Sequence, residues 1–157
     1  MLKGSVTSIY ISPKASQPMI SIDSIEAVSG KGLRGDRYCQ SAGSFSREGD
    51  ASQEVTLIEA ETIDSLIRDH EIPIRPGDCR RNIITRDIRL NDLVGVQFRV
   101  GETVLKGLKL CEPCSHLAKL TSEKILVALV HRGGLRAQIL TGGLIKVGDD
   151  ITEDENN

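Results

Sequence analysis

A mainly β fold, a barrel or sandwich carrying a few helices, is predicted by three observations. Seven or more short runs rich in Ile and Val recur along the chain, bounded by Gly, Pro and Ser. The two or three helical stretches do not alternate regularly with these runs, which disfavours a doubly wound parallel sheet. Finally, "VQFRVGETVLKGLKL" reads as a hairpin, because Val96, Phe98 and Val100 alternate up to Gly101-Glu102 and glycine at the first turn position suits a type II′ turn. At 157 residues the chain is expected to be one domain able to bury an ordinary core.

Taken in order, "SVTSIYI" and "IDSIEAV" predict strands on either side of the Pro/Ser loop "SPKASQPM". A long polar loop follows in "SGKGLRGDRYCQSAGSFSREGDASQ", and a loop of this length inside a domain points to function or disorder. "EVTLIE" reads as a strand. "EAETIDSLIRDH" reads as a helix with Ala60, Ile63 and Ile67 on one stripe and Leu66 beside it, stopped by the prolines of "IPIRPGD". In "RRNIIT" a period of two places Arg80, Asn82 and Ile84 on one face and Arg81, Ile83 and Thr85 on the other. "TSEKILVALVHRGG" predicts a short apolar helix, and "LRAQIL" and "LIKVG" two final strands.

A formal net charge of −2 argues against a general nucleic-acid binder. No apolar run approaches the roughly 20 residues a membrane span requires, and the first residues lack a signal-peptide pattern. The expectation is therefore a cytoplasmic protein whose cysteines, Cys39, Cys79, Cys111 and Cys114, are reduced. Residues 152–157 read as a frayed acidic tail beyond a domain spanning 1–151.

"LKLCEPCSHL" sets Cys111 and Cys114 with two residues between them after a predicted strand. Half of a zinc site, a redox dithiol, buried structural cysteines and a single working thiolate all remain open for this pair. Buried structural roles are expected for Cys39 and Cys79. Arg80, Arg132 and Arg136, with Arg37 in the long loop, supply cations. The paired glycines of "RGGLRAQILTGG" beside Arg132 and Arg136 suggest a backbone cradle for an anion. His116 and His131 are read as structural.

In order, "GKGLRGDRY", "VTLIEAE", "RRNIITRDIRLNDLVG", "FRVGETVL", "LCEPCSHL", "RGGLRAQILTGG" and "VGDDI" resemble a stand-alone MOSC domain, the module named for the C-terminal part of molybdenum cofactor sulfurases. The resemblance runs from about residue 4 to residue 151. It implies a closed barrel, of the kind also seen in pyruvate kinase, and a pocket for the molybdenum cofactor. In related amidoxime-reducing proteins a cysteine in the matching segment ligates molybdenum, a role that falls on Cys114. An Arg-x-Asn contacts the cofactor there, which Arg80-Arg81-Asn82 matches. Asp36 and Arg37 match the family's Gly-Asp-Arg loop, and Arg132 and Arg136 its Arg-Gly-Gly-Leu-Arg-Ala segment. Pyridoxal phosphate is not expected, because the large domain that binds it in full sulfurases is not in this sequence. Where many members have glycine after "RNIITR", this chain has Asp87, a poor residue for a turn needing positive φ.

Three functions follow from that resemblance. One is a cofactor-dependent oxidoreductase that removes oxygen from N-hydroxylated small molecules, with electrons from a separate reductase. Another is a sulfur carrier holding a persulfide on Cys114 and meeting sulfur donor or acceptor proteins. The third is a non-catalytic module that stores or transfers the cofactor. Neither a nucleic acid nor a membrane is an expected partner.

Overall fold

The computed structural model describes residues 3–13, 18–36, 53–69, 71, 74–111 and 132–154. Eleven strands and one α-helix lie among them: β1 (Lys3–Ile11), β2 (Ile20–Ile22), β3 (Ser24–Val28), β4 (Gly32–Leu33), β5 (Val55–Glu59), α1 (Ala60–Arg68), β6 (Ile83–Arg86), β7 (Gln97–Val100), β8 (Thr103–Leu110), β9 (Leu135–Thr141), β10 (Gly143–Lys146) and β11 (Asp150–Glu153). Short 3₁₀ turns at Pro76–Cys79 and Leu90–Leu93 join the middle strands. The expected helix within 121–134 and most of the long polar loop fall outside the described residues.

The mainly β prediction holds, and the sheet closes. Its order is β11-β7-β8-β9-β5-β6-β1-β2, and β11 also pairs with β1, so seven strands form a barrel with β2 appended. All neighbours are antiparallel except β5 and β6, which run parallel. Crossing from β5 to β6 in parallel requires a long connection, and α1 with the Pro76–Cys79 turn supplies it. A smaller sheet, β10-β3-β4, packs beside the barrel.

Alternation decides what fills the interior. Phe98 and Val100 point inward from β7, and Leu135, Ala137 and Ile139 from β9, to meet Val6, Ile9, Leu57, Ile83 and Ile151 in one core. β5 is buried on both faces. Its Val55 and Leu57 enter the barrel, while Ile58 joins Ala60, Ile63, Leu66, Ile74, Cys79 and Ile84 in a second core beneath α1. The helix buries Leu66 and leaves Ile67 exposed, so the predicted stripe through Ile67 is corrected by one position. The hairpin prediction also holds: Val100 pairs with Thr103 across a two-residue turn in which Gly101 has φ +57° and Glu102 does not have positive φ.

Two other readings change. β11 occupies the acidic segment: Lys3 pairs with Thr152 and Phe98 with Glu153, and Asp154 is buried against Arg99. The domain therefore extends through at least Asp154, because Ile151 anchors a strand whose charged neighbours face outward. Composition alone concealed this. The strand after the Pro76–Cys79 turn begins at Ile83, and Arg80 sits at φ 63°, ψ 29°. That left-handed conformation takes Arg80 itself out of the period of two, while Arg81 and Asn82, which follow it, are both buried and Asn82 bonds to the Thr56 side chain of β5.

Asp87 does occupy a positive-φ turn, at φ 66°, where its N–H donates to the Glu61 carboxylate at 2.8 Å. Its exposed side chain is not packed. Asp87→Gly should therefore raise stability by about 0.5–1 kcal/mol, since a non-glycine residue in this region carries roughly 1–2 kcal/mol of strain, partly offset by glycine's unfolded-state entropy. Urea denaturation reads this as a higher midpoint with an unchanged slope.

Candidate functional site

The middle of β5 is where the predicted site segments meet. Leu57 pairs with Ile83 of β6 on one side and with Leu135 of β9 on the other. The residues just before those two partners, Arg80-Arg81-Asn82 and Arg132-Gly133-Gly134, are thereby brought to the same place. The end of β8 joins them, because Leu110 pairs with Leu135 and the Cys111 N–H donates to the Gly134 carbonyl at 2.7 Å.

Arg81 ties these segments together. Its guanidinium is buried, with Nε donating to the Gly133 carbonyl at 2.7 Å and the two terminal nitrogens to the carbonyls of Cys79 and Cys111, each at 3.3 Å. All three acceptors are neutral. Among the described residues no carboxylate forms an ion pair with it, and its hydrogen-bond partners there are carbonyl dipoles. A buried cation of this kind raises the local positive potential, which favours a nearby anion or thiolate.

Asn82 is also buried and is consumed by the framework. Its Oδ1 accepts from both the N–H and the hydroxyl of Thr56, each at 3.1 Å, and its Nδ2 donates to the Tyr10 carbonyl at 3.1 Å. The Tyr10 N–H returns a bond to the Asn82 carbonyl at 2.7 Å. The side chain therefore locks β1, β5 and the entry to β6 into register.

The remaining predicted residues are distributed as follows. Arg132 is exposed and reaches back to α1, donating to the Ser65 hydroxyl at 2.7 Å. Its charge, with that of Arg89, lowers the pKa of Glu59, whose carboxyl is nonetheless raised overall by burial. Arg136 is half-buried on β9 opposite Thr56, which places it beside Asn82's partner. Arg80 is half-buried. Asp36 is fully buried and accepts the Ser12 N–H at 2.9 Å, so it anchors the entrance of its loop. Arg37 and Cys114, with Cys39, His116 and His131, lie outside the described residues.

The glycine pairs are explained by close backbone packing. A Cβ on Gly134 would come within 2.0 Å of the Leu57 carbonyl oxygen, and one on Gly142 within 2.7 Å of that of Ala27. These close approaches are to the protein's own strands, so neither pair needs a ligand to account for it. Arginine side chains are then the cationic elements left to meet an anion.

Two cysteines are described, and both are buried free thiols. Cys79 fits its expected structural role: burial in the core under α1 pushes its thiol up to about 12, although Arg81 pulls the other way. Native protein at pH 8 should leave Cys79 unalkylated by iodoacetamide, with labelling appearing only on unfolding. The sign is also defined. A folded pKa above the ordinary 9.0 gives stability that is complete below pH 9 and declines as pH rises towards about 12.

Glu54 went unnoticed in the sequence, where it reads as the polar start of a strand. It is buried and accepts the Ile139 N–H at 2.8 Å, and burial raises its carboxyl while bonds to Ile139 and Gly30 lower it. The contact links β9 to the turn between β3 and β4, and nothing in composition or period could have signalled it.

Comparison with solved structures gives the same architecture. The YuaD protein from Bacillus subtilis superposes with a TM-score of 0.80 at 16% identity, covering 96% of this chain and 94% of that one. YiiM from Geobacillus stearothermophilus gives 0.74 at 15% identity over 97% and 75% of the two chains. YiiM from Escherichia coli gives 0.70 at 16% identity over 97% and 69%. No curated protein sequence matches this one. The family model for the MOSC domain matches residues 44–152, more than half of the chain. The chain therefore belongs to the MOSC domain family.

Proposed function

We propose that this MOSC domain binds the molybdenum cofactor and serves as an oxidoreductase that removes oxygen from N-hydroxylated small molecules. The observation that carries this reading is the convergence around Arg81. Three segments that resemble cofactor-contacting segments of the family meet at a buried, carbonyl-held cation, with Arg80, Arg132 and Arg136 on the same segments. This donor set suits a group with an anionic phosphate.

Arg80, Arg132 and Arg136, with Arg37 in the Gly-Asp-Arg loop that Asp36 anchors, would hold the pterin and its phosphate. Arg81 and Asn82 act behind them, fixing the strand entries from which those arms project. Cys114 lies three residues beyond Cys111, whose carbonyl and N–H are both fixed, and it provides the thiolate ligand. When bound, the cofactor supplies two-electron oxygen-removing chemistry, while the protein contributes position and electrostatics. A separate reductase provides two electrons, and two protons accompany them so that the oxygen leaves as water.

The test is expression in a host that makes the cofactor, followed by metal analysis and fluorescence of the extracted pterin. Near-stoichiometric molybdenum and pterin are expected. Cys114→Ser should lower reduction of a model amidoxime by at least about a hundredfold, as loss of an essential ligand does. Full activity in that variant ends the ligand assignment. Metal-free protein carrying cyanolysable sulfur instead identifies a sulfur carrier, and bound pterin without turnover identifies a storage or transfer module.

A further inference from the structure

We infer that Arg81 is a positioning residue whose guanidinium clamps the three backbone segments of the anion site and so sets the spacing of the cationic arms. This rests on the proposed function for the identity of the anion, but the clamp itself is read from the geometry alone. The resemblance offers Arg80-Arg81-Asn82 as a group of cofactor contacts. In the fold, Arg81 is turned inward and its hydrogen bonds reach Cys79, Cys111 and Gly133, which are far apart in sequence.

Each clamped carbonyl sits next to a functional element. The Cys79 carbonyl belongs to the peptide group that leads into the left-handed Arg80. The Gly133 carbonyl follows Arg132, whose own guanidinium is steadied by Ser65 on α1. Cys111 is bonded at both ends, its N–H to Gly134 and its carbonyl to Arg81, at the point where β8 gives out. One planar fork thus ties the Cys79 segment to the paired ends of β8 and β9, to which no strand ladder joins it directly. Only arginine can do this. Its five donors lie in a rigid plane, whereas lysine presents a single ammonium on a flexible stem. The neutral acceptors also suit the role, since carbonyls hold the guanidinium without cancelling the potential that attracts an anion.

Arg81→Lys, which retains the charge and loses the fork, separates clamping from simple charge. Hydrogen exchange by mass spectrometry or NMR should show the amides of Cys111 and of the 133–135 turn exchanging at least about tenfold faster. Phe98 and Ile151, across the barrel, should keep their protection. Affinity for inorganic pyrophosphate, the anion probe, should fall about tenfold or more, because loosened groups bind a preorganised ligand poorly. Pterin recovered from the cofactor-competent host should fall with it.

Unchanged exchange at Cys111 and the turn overturns the clamp. Faster exchange with undiminished pyrophosphate affinity overturns the positioning role. Wild-type protein that binds pyrophosphate but never carries pterin overturns the cofactor reading and leaves the clamp standing. If Arg81→Lys fails to fold, the wild-type Arg81 Nε–H decides the matter by ¹⁵N NMR: a slowly exchanging proton supports the bond to Gly133, and a rapidly exchanging one refutes it.

Discussion

Gly134→Ala is expected to cost about 4 kcal/mol of folding stability. The new Cβ would lie 2.0 Å from the Leu57 carbonyl oxygen and 3.1 Å from its carbon, and the backbone sits at φ +108°. Backbone atoms in a closed ladder cannot move aside, so β9 would have to withdraw from β5. Strain at this φ costs roughly 1–2 kcal/mol, and overpacking against backbone adds about 1–3 kcal/mol or more. A total near 4 kcal/mol is a large share of the about 5–15 kcal/mol that holds a typical domain together. Urea titration followed by circular dichroism measures it. Gly95→Ala is the control: it shares positive φ, at +79°, but meets no atom within 4 Å, so only the strain of about 1 kcal/mol should appear. Equal losses in the two variants would show that the carbonyl contact is unimportant.

Asn82→Leu should cost about 3–5 kcal/mol, because it strands the Thr56 N–H, the Thr56 hydroxyl and the Tyr10 carbonyl, each buried or partly buried. Asn82→Asp tests the same site more finely. The carboxylate still accepts from Thr56 but faces the Tyr10 carbonyl with no proton to give, so the loss should be large at pH 7. It should shrink as pH falls, since the protonated carboxyl regains a donor for Tyr10. A pH-independent defect would mean that the Nδ2 bond contributes little.

The β architecture was legible because strand alternation is a local property. Phe98 and Val100 around Gly101 announce a hairpin whatever surrounds them, and the barrel interior takes the residues that alternation nominates. Closure was not local, and it entered through the family resemblance. Arg80 shows why the site was harder to read. A left-handed conformation takes Arg80 out of the strand pattern, and nothing in "DCRRN" marks it, since arginine rarely adopts that conformation. The two Gly-Gly pairs pointed to close approach and were right about that. A sequence cannot say whether the neighbour is a ligand or another strand, and here it is Leu57 and Ala27. Arg81 looked like one arginine among five between positions 75 and 89. Its buried role depends on carbonyls up to 52 residues away, a separation that no window along the chain can span.

The seam formed by β11 bears on how the molecule is made. Until Asp150–Glu153 is available, β1 and β7 have no partner on their facing sides. At about 5–20 residues per second, a ribosome leaves the β1 rim bare for roughly 7–28 seconds and the β7 rim for roughly 2–10 seconds after each strand is made. Shielding the nascent chain over that interval falls to chaperones or to the polar side chains along the rims. A ribosome stalled before codon 150 would therefore release a sticky, half-rolled sheet and not a slightly shortened barrel.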